Sequence, residues 1–131
     1  MHEYALRYND LEDIMQFKAK AKDVPFSPYK LRVYADVIRG KDADYALHWL
    51  KTQSVRRAVP LQKAIESAVA NAHNLQALSK KELKIVEIRI DQGRIVHYFK
   101  PGAMGRANPQ RKRFSHISVI VGTKQQKRDE V

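Results

Sequence analysis

Arg94, Lys100, Arg106, Arg111, Lys112, Arg113, Lys124, Lys127 and Arg128 follow one another with no Asp or Glu between Arg94 and Arg128. Guanidinium and ammonium groups in such a run do one thing well, which is to bind phosphate oxygens. Met1–Gly93 carries 16 basic and 12 acidic residues, so most of the net charge of +11 lies in the last third of the chain. A run of cations is often a solvated face or a loose tail. Solvated faces mix signs, however, and loose tails lack β-branched residues, whereas this stretch contains Ile95, Val96, Ile117, Val119, Ile120 and Val121. It reads as an ordered element that contacts nucleic acid.

Other chemistries fare worse. His48, His73, His97 and His116 fall into neither an HxxxH nor an HExxH spacing, so no metal is assigned. Gly40-Lys41 lacks the upstream glycine and the following Ser or Thr of a phosphate loop. Asp36, Glu66 and Ser67 make a hydrolytic triple only on paper, because helical phase alone supplies no geometry. We assign no catalytic residue and no cofactor. The absence of Cys removes disulfides and thiolate zinc sites and fits a reducing, cytosolic setting. No apolar run approaches the roughly 20 residues that span a bilayer, so no membrane partner is expected.

These cations need elements to position them. Ser27-Pro28 predicts a helix start, with Ser as cap, and Gly40 its stop; Leu31, Tyr34, Ala35 and Ile38 form its apolar stripe, with Lys30, Arg32 and Arg39 off that stripe. Asp42 predicts the cap of a second helix, with Ala46, Leu47 and Leu50 inward and Trp49 packing at its edge. The third and longest helical pattern runs from Ser54 to about Asn74 through Leu61, Ile65, Ala68, Val69 and Ala72. Pro60 inside it predicts a kink or a start nearer residue 57. Val86, Ile88 and Ile90 then alternate with Glu87, Arg89 and Asp91, which predicts a half-buried strand with the three apolar residues inward. Gln92-Gly93 interrupts it, Arg94–Lys100 continues it, and Pro101–Pro109 supplies turn residues. A strand over about Arg111–Val121 returns. The result is a long hairpin whose distal part has no apolar core, an arrangement that is marginal in water without an anionic support.

Three stretches carry a resemblance: Ser27-Pro-Tyr-Lys-Leu-Arg-Val-Tyr-Ala-Asp-Val-Ile-Arg-Gly-Lys41, Ala64-Ile-Glu-Ser-Ala-Val-Ala-Asn-Ala-His73, and Ala103-Met-Gly-Arg-Ala107 with Lys112-Arg-Phe-Ser-His-Ile117. In order and spacing, over about Lys20 to Thr123, the chain resembles the large-subunit ribosomal protein family numbered twenty-two in the bacterial series. The resemblance implies an α+β fold, with three helices packed on a small antiparallel sheet and a long extended β-hairpin. It implies a structural constituent of the cytoplasmic ribosome, with an organellar ribosome as the alternative. The implied partners are large-subunit rRNA, neighbouring large-subunit proteins, and the nascent polypeptide at the wall of the exit tunnel. The implied rRNA-binding residues are Lys18, Lys20, Lys22, Lys30, Arg32, Arg39, Lys41, Lys100, Arg106, Arg111, Lys112, Arg113 and His116, the last facing RNA or a neighbouring strand. The implied tunnel tip is Pro101, Gly102, Ala103, Met104, Gly105, Arg106, Ala107 and Asn108.

The chain departs from the family pattern at Val96-His97-Tyr98, at Gly102 and Met104, and at Asn108-Pro109-Gln110, all positions that relatives commonly fill with more basic residues. A less positive tip is expected. Residues 1–18 lie outside the resemblance as an N-terminal extension in which Leu11, Ile14, Met15 and Phe17 suggest a short amphipathic helix. Residues 19–123 form the domain, including the hairpin at about 94–114, and 124–131 a polar tail. The rival reading is a helix-turn-helix DNA-binding protein, built from Asp42–Thr52 followed by Ser54–Asn74.

Overall fold

The computed structural model describes residues 15–123. In chain order they form β1 (Gln16–Val24), α1 (Pro28–Ile38), α2 (Ala43–Thr52), α3 (Ala58–Gln76), β2 (Leu83–Pro101) and β3 (Ala107–Thr123). The three strands make one antiparallel sheet in the order β1-β3-β2, with the helices on one face. The α+β architecture expected from the sequence is the one observed.

Each helix follows from its stripe. Leu31, Ala35 and Ile38 of α1, Ala46, Leu47 and Leu50 of α2, and Leu61, Ile65, Ala68 and Ala72 of α3 are buried at helical spacing against Ile85, Ile88, Ile117, Val119 and Val121 of the sheet. The small residues of α3 let it approach both α2 and β1 closely. Pro60 lies in its first turn, where an absent N–H costs nothing, and the helix starts at Ala58 rather than Ser54. Gly40, with φ +76, and Ala77, with φ 53, take the left-handed conformation just beyond α1 and α3. Ser27 and Asp42 occupy the N-cap positions, but neither side chain accepts a capping hydrogen bond from its helix. Tyr34 and Trp49 pack with ring centroids 6.1 Å apart, which joins α1 to α2.

Three predictions need correction in the strands. Met15 and Phe17 do not belong to a helix, because Gln16–Val24 is an edge strand and Phe17 is buried beneath it. Leu11 and Ile14 lie outside the described residues. Val86 is not a core residue. Ile85 pairs with Val121 while Glu87 pairs with Ile120, so Val86 is the extra residue of a bulge. The bulge reverses the phase of β2, which lets Ile85 and Ile88 both face the helices and turns Val86 outward. The third correction concerns β3, which starts at Ala107 rather than near Arg111.

A second bulge separates Gln92↔Ser115 from Ile95↔Arg113. A Cβ on Gly93 would lie 2.9 Å from the Phe114 carbonyl oxygen, so the two strands touch backbone to backbone where the sheet ends and the arm begins. Beyond it the seven pairs from Ile95↔Arg113 to Pro101↔Ala107 form a two-stranded arm. Pro109 is tolerated there because each strand of the arm has an outer edge that needs no partner. At the tip, the Gly102 N–H donates to the Arg106 carbonyl over 2.5 Å, and Met104 and Gly105 close the turn with positive φ.

Candidate nucleic-acid interface

Where the arm leaves the sheet it faces the Pro25–Ser27 loop and the starts of α1 and α3. The groove between them is lined by Pro25, Phe26, Ser27, Lys30, Arg57, Tyr98, Arg111, Lys112 and Arg113. Five of these nine side chains are cationic and none is acidic. Such a groove holds a local positive potential that only a polyanion satisfies fully.

Aromatic faces hold two of these cations, Lys112 and Arg113, in place, together with Arg32 and Arg94 outside the groove lining. The Arg113 and Arg32 guanidinium carbons lie 5.9 and 5.4 Å from the Tyr29 ring centroid. Arg94 and the Lys112 ammonium lie 4.8 and 5.4 Å from the Phe114 ring centroid. Cations attracted to ring faces lose less conformational freedom when they meet phosphate. The Ser115 hydroxyl, buried at the root of the arm, donates to the Phe26 carbonyl over 3.0 Å and fixes the groove floor.

The implied rRNA-binding residues divide by place. Lys30, Arg111, Lys112 and Arg113 meet in the groove. Lys100 and Arg106 stand exposed near the arm's end, beyond the part of β3 that pairs with β1, and Lys18, Lys20 and Lys22 belong to β1. Lys41 is exposed beyond α1. Arg32 and Arg39 have an intramolecular task. Both nitrogens of an Arg32 fork donate to the Ile90 carbonyl at 3.0 and 3.2 Å. Arg39 donates to the Ile88 carbonyl at 3.0 Å and to Asp36 at 2.6 Å. These carbonyls lie on the outer edge of β2, so α1 closes that edge with two arginines. His116 faces a neighbouring strand, where its Nδ1 accepts the Asp23 N–H over 3.2 Å at the β1 bulge.

Sequence reasoning missed Arg57, Tyr29 and Phe114. Arg57 was visible in the Arg56-Arg57 pair ahead of α3, but it reads there as a helix start. Nothing in local spacing announces that Tyr29 and Phe114 receive cations from other elements. A consequence can be measured on the free protein with an rRNA fragment. Lys30→Gln lowers the slope of log affinity against log salt by about 1, because its ammonium is free to meet phosphate. Arg32→Gln instead costs about 0.5–1.5 kcal/mol in denaturant unfolding, the ordinary worth of its hydrogen bonding to β2. Equal effects of the two variants on slope, with no change in stability for Arg32→Gln, would remove the distinction.

The geometry has relatives. The family model for ribosomal protein L22p/L17e matches residues 19–122. The large ribosomal subunit protein uL22c of Chlorokybus atmophyticus is 41% identical over 107 residues, covering 82% of this chain and 90% of that protein. The large ribosomal subunit protein uL22 of Desulforamulus reducens is 39% identical over 112 residues, covering 86% of this chain and 99% of that one. That of Syntrophomonas wolfei is 37% identical over 107 residues, covering 82% and 95%. With most of its length aligned to such proteins and its arm, helices and sheet in the matched span, the chain belongs to the ribosomal protein L22p/L17e family.

Proposed function

We propose that this chain is a structural constituent of the large ribosomal subunit. It binds large-subunit rRNA through the basic groove and arm, supports assembly of that RNA, and lines the polypeptide exit tunnel with its tip, Pro101–Asn108. The observation that carries this reading is the acid-free groove of Lys30, Arg57, Arg111, Lys112 and Arg113, continuous with an arm that has no core of its own. RNA packed on both strands would supply the support that a two-stranded ribbon lacks in water. At the tip, Gly102 and Gly105 keep the backbone slim, and Met104 stands fully exposed as a flexible apolar contact for a passing peptide. Its neighbours carry little charge apart from Arg106, which makes electrostatic drag on a basic nascent peptide small.

The helix-turn-helix reading lacks a recognition helix. Of the two candidate helices, α3 spends Leu61, Ile65, Ala68 and Ala72 on the core and donates from Asn71 to the Lys18 carbonyl of β1, so its long face is covered by the sheet.

Two experiments test the proposal. The protein should co-sediment with large subunits in moderate salt; recovery with chromosomal DNA alone would overturn it. A photoreactive side chain carried by a stalled nascent peptide should crosslink within Pro101–Asn108 over a window of chain lengths. Absence of any such crosslink at every length would exclude the tip from the tunnel wall.

A further inference from the structure

Beside the basic groove, and sharing Pro25 with it, β1 and the first turns of α3 enclose a second cleft, of about 400 Å³. Its walls are mostly apolar and small, with Ala19, Ala21 and Val24 on one side and Val59, Pro60 and Ala64 on the other, while Ser67 and Asp23, whose carboxylate lies 3.9 Å from the Arg94 guanidinium, complete the lining. Lys20, Lys22 and Lys63 stand around it, and none of the three ammonium groups has an ion-pair partner among the described residues.

The cleft also exposes unpaired backbone. The Met15 carbonyl accepts from Thr123 of β3, whereas the Lys18 carbonyl accepts from Asn71 of α3 on the other side. In an antiparallel ladder the direction alternates, so Lys18 and Lys20 turn their main-chain groups away from β3. Asn71 satisfies one carbonyl. The Lys20 N–H and C=O face the cleft, and no backbone or side-chain group among the described residues takes them up. An edge strand left open beside an apolar cleft is the geometry of strand addition, in which backbone pairing supplies affinity and alternate side chains supply selectivity.

We propose that this cleft receives an extended acidic segment of a neighbouring protein, paired as a fourth strand along β1. Alternate residues of that segment would fill the small apolar cleft, and the others, as carboxylates, would meet Lys20, Lys22 and Lys63. A second copy of this chain fits badly, because β1 against β1 would set rows of lysines against each other. RNA fits less well than an acidic peptide: the lining has no aromatic ring for a base to stack on, and half of it is aliphatic. The proposal rests on the β1 edge rather than on the groove cations, and it gives Lys20 and Lys22 a protein partner where the resemblance implies rRNA.

The full chain, labelled for amide NMR, can be titrated with an alternating Glu-Val hexapeptide. The expected result is slowed exchange of the Lys20 amide and shifts confined to Ala19–Lys22 and Val59–Ala64. K20P removes the outward N–H without touching the ladder to β3 and should abolish the shifts at Val59–Ala64, whereas K20Q, which keeps that N–H, should retain them. K22E with K63E should weaken the Glu-Val peptide by at least about tenfold and favour a Lys-Val peptide instead. Equal protection by the Lys-Val peptide on the unaltered chain, a response at Tyr98 and Arg111–Arg113 only, or protection of Lys20 by a single-stranded oligonucleotide in place of the peptide would each overturn it.

Discussion

Replacing Arg111, Lys112 and Arg113 together by glutamine lowers affinity for large-subunit rRNA by about two orders of magnitude at about 0.1 M salt, since each lost phosphate contact removes about 0.7–0.9 from the salt exponent. These three share the groove with Lys30 and Arg57. Two of them are also held against the Tyr29 and Phe114 rings, so RNA entering the groove would find them already ordered. The core should not notice the change, because the pairs they form with His97, Val96 and Ile95 lie in the arm and persist through backbone bonds. Filter binding across a salt series checks it. The slope should fall by about 2–3, and a fall in affinity at constant slope would mean that the three residues shape the arm rather than bind phosphate.

Ile65→Ala should lower the unfolding free energy by about 2–5 kcal/mol, a large part of the roughly 5–15 kcal/mol that a domain of this size commands. Ile65 is completely buried in the middle of α3, the helix that touches α2, β1 and β3, so the space left behind is walled by packed elements. Urea unfolding should show a lower midpoint with an unchanged slope. A loss below about 1 kcal/mol would show that the cavity collapses and that α3 is less central than its packing indicates. Incorporation into subunits should fall with stability, although no RNA contact has been altered.

Much of this architecture can be read in the chain because local chemistry and global packing agree. Leu31, Ala35 and Ile38 recur at helical spacing, Pro28 opens α1 and Gly40 closes it, so the sequence has one consistent interpretation there. At β1 the signal is real but faint. Lys18, Lys20 and Lys22 alternate with Ala19 and Ala21, a strict period of two whose inward members are methyl groups, and Phe17 next to Met15 suggests a helix instead. At Val86 the period itself misleads. The run Ile85-Val86-Glu87-Ile88 contains two phases joined by a bulge, and a bulge depends on the partner strand, which no local window contains. The interface divides in the same manner. Its cations are visible as a charge run, whereas the groove exists only because the arm folds back past Pro25–Ser27, and Arg57 joins it from a distant part of the chain. The sequence likewise gives Arg32 and Arg39 as surface charges, and only the edge of β2 shows that they hold carbonyls.

The paired arm constrains how its length can evolve. Between Ile95↔Arg113 and Pro101↔Ala107 the strands pair only with one another, so shortening both by the same number of residues leaves a continuous ladder. Removing one residue from each, however, advances the tip by half a pleat and turns Ala103–Gly105 toward the opposite wall of whatever surrounds it. Removing two from each restores the original facing about 6–7 Å nearer the domain. Related chains with arms of different reach are therefore expected to differ by even numbers of residues per strand wherever the tip presents the same side. An odd difference marks either a compensating bulge or a tip that presents its other face.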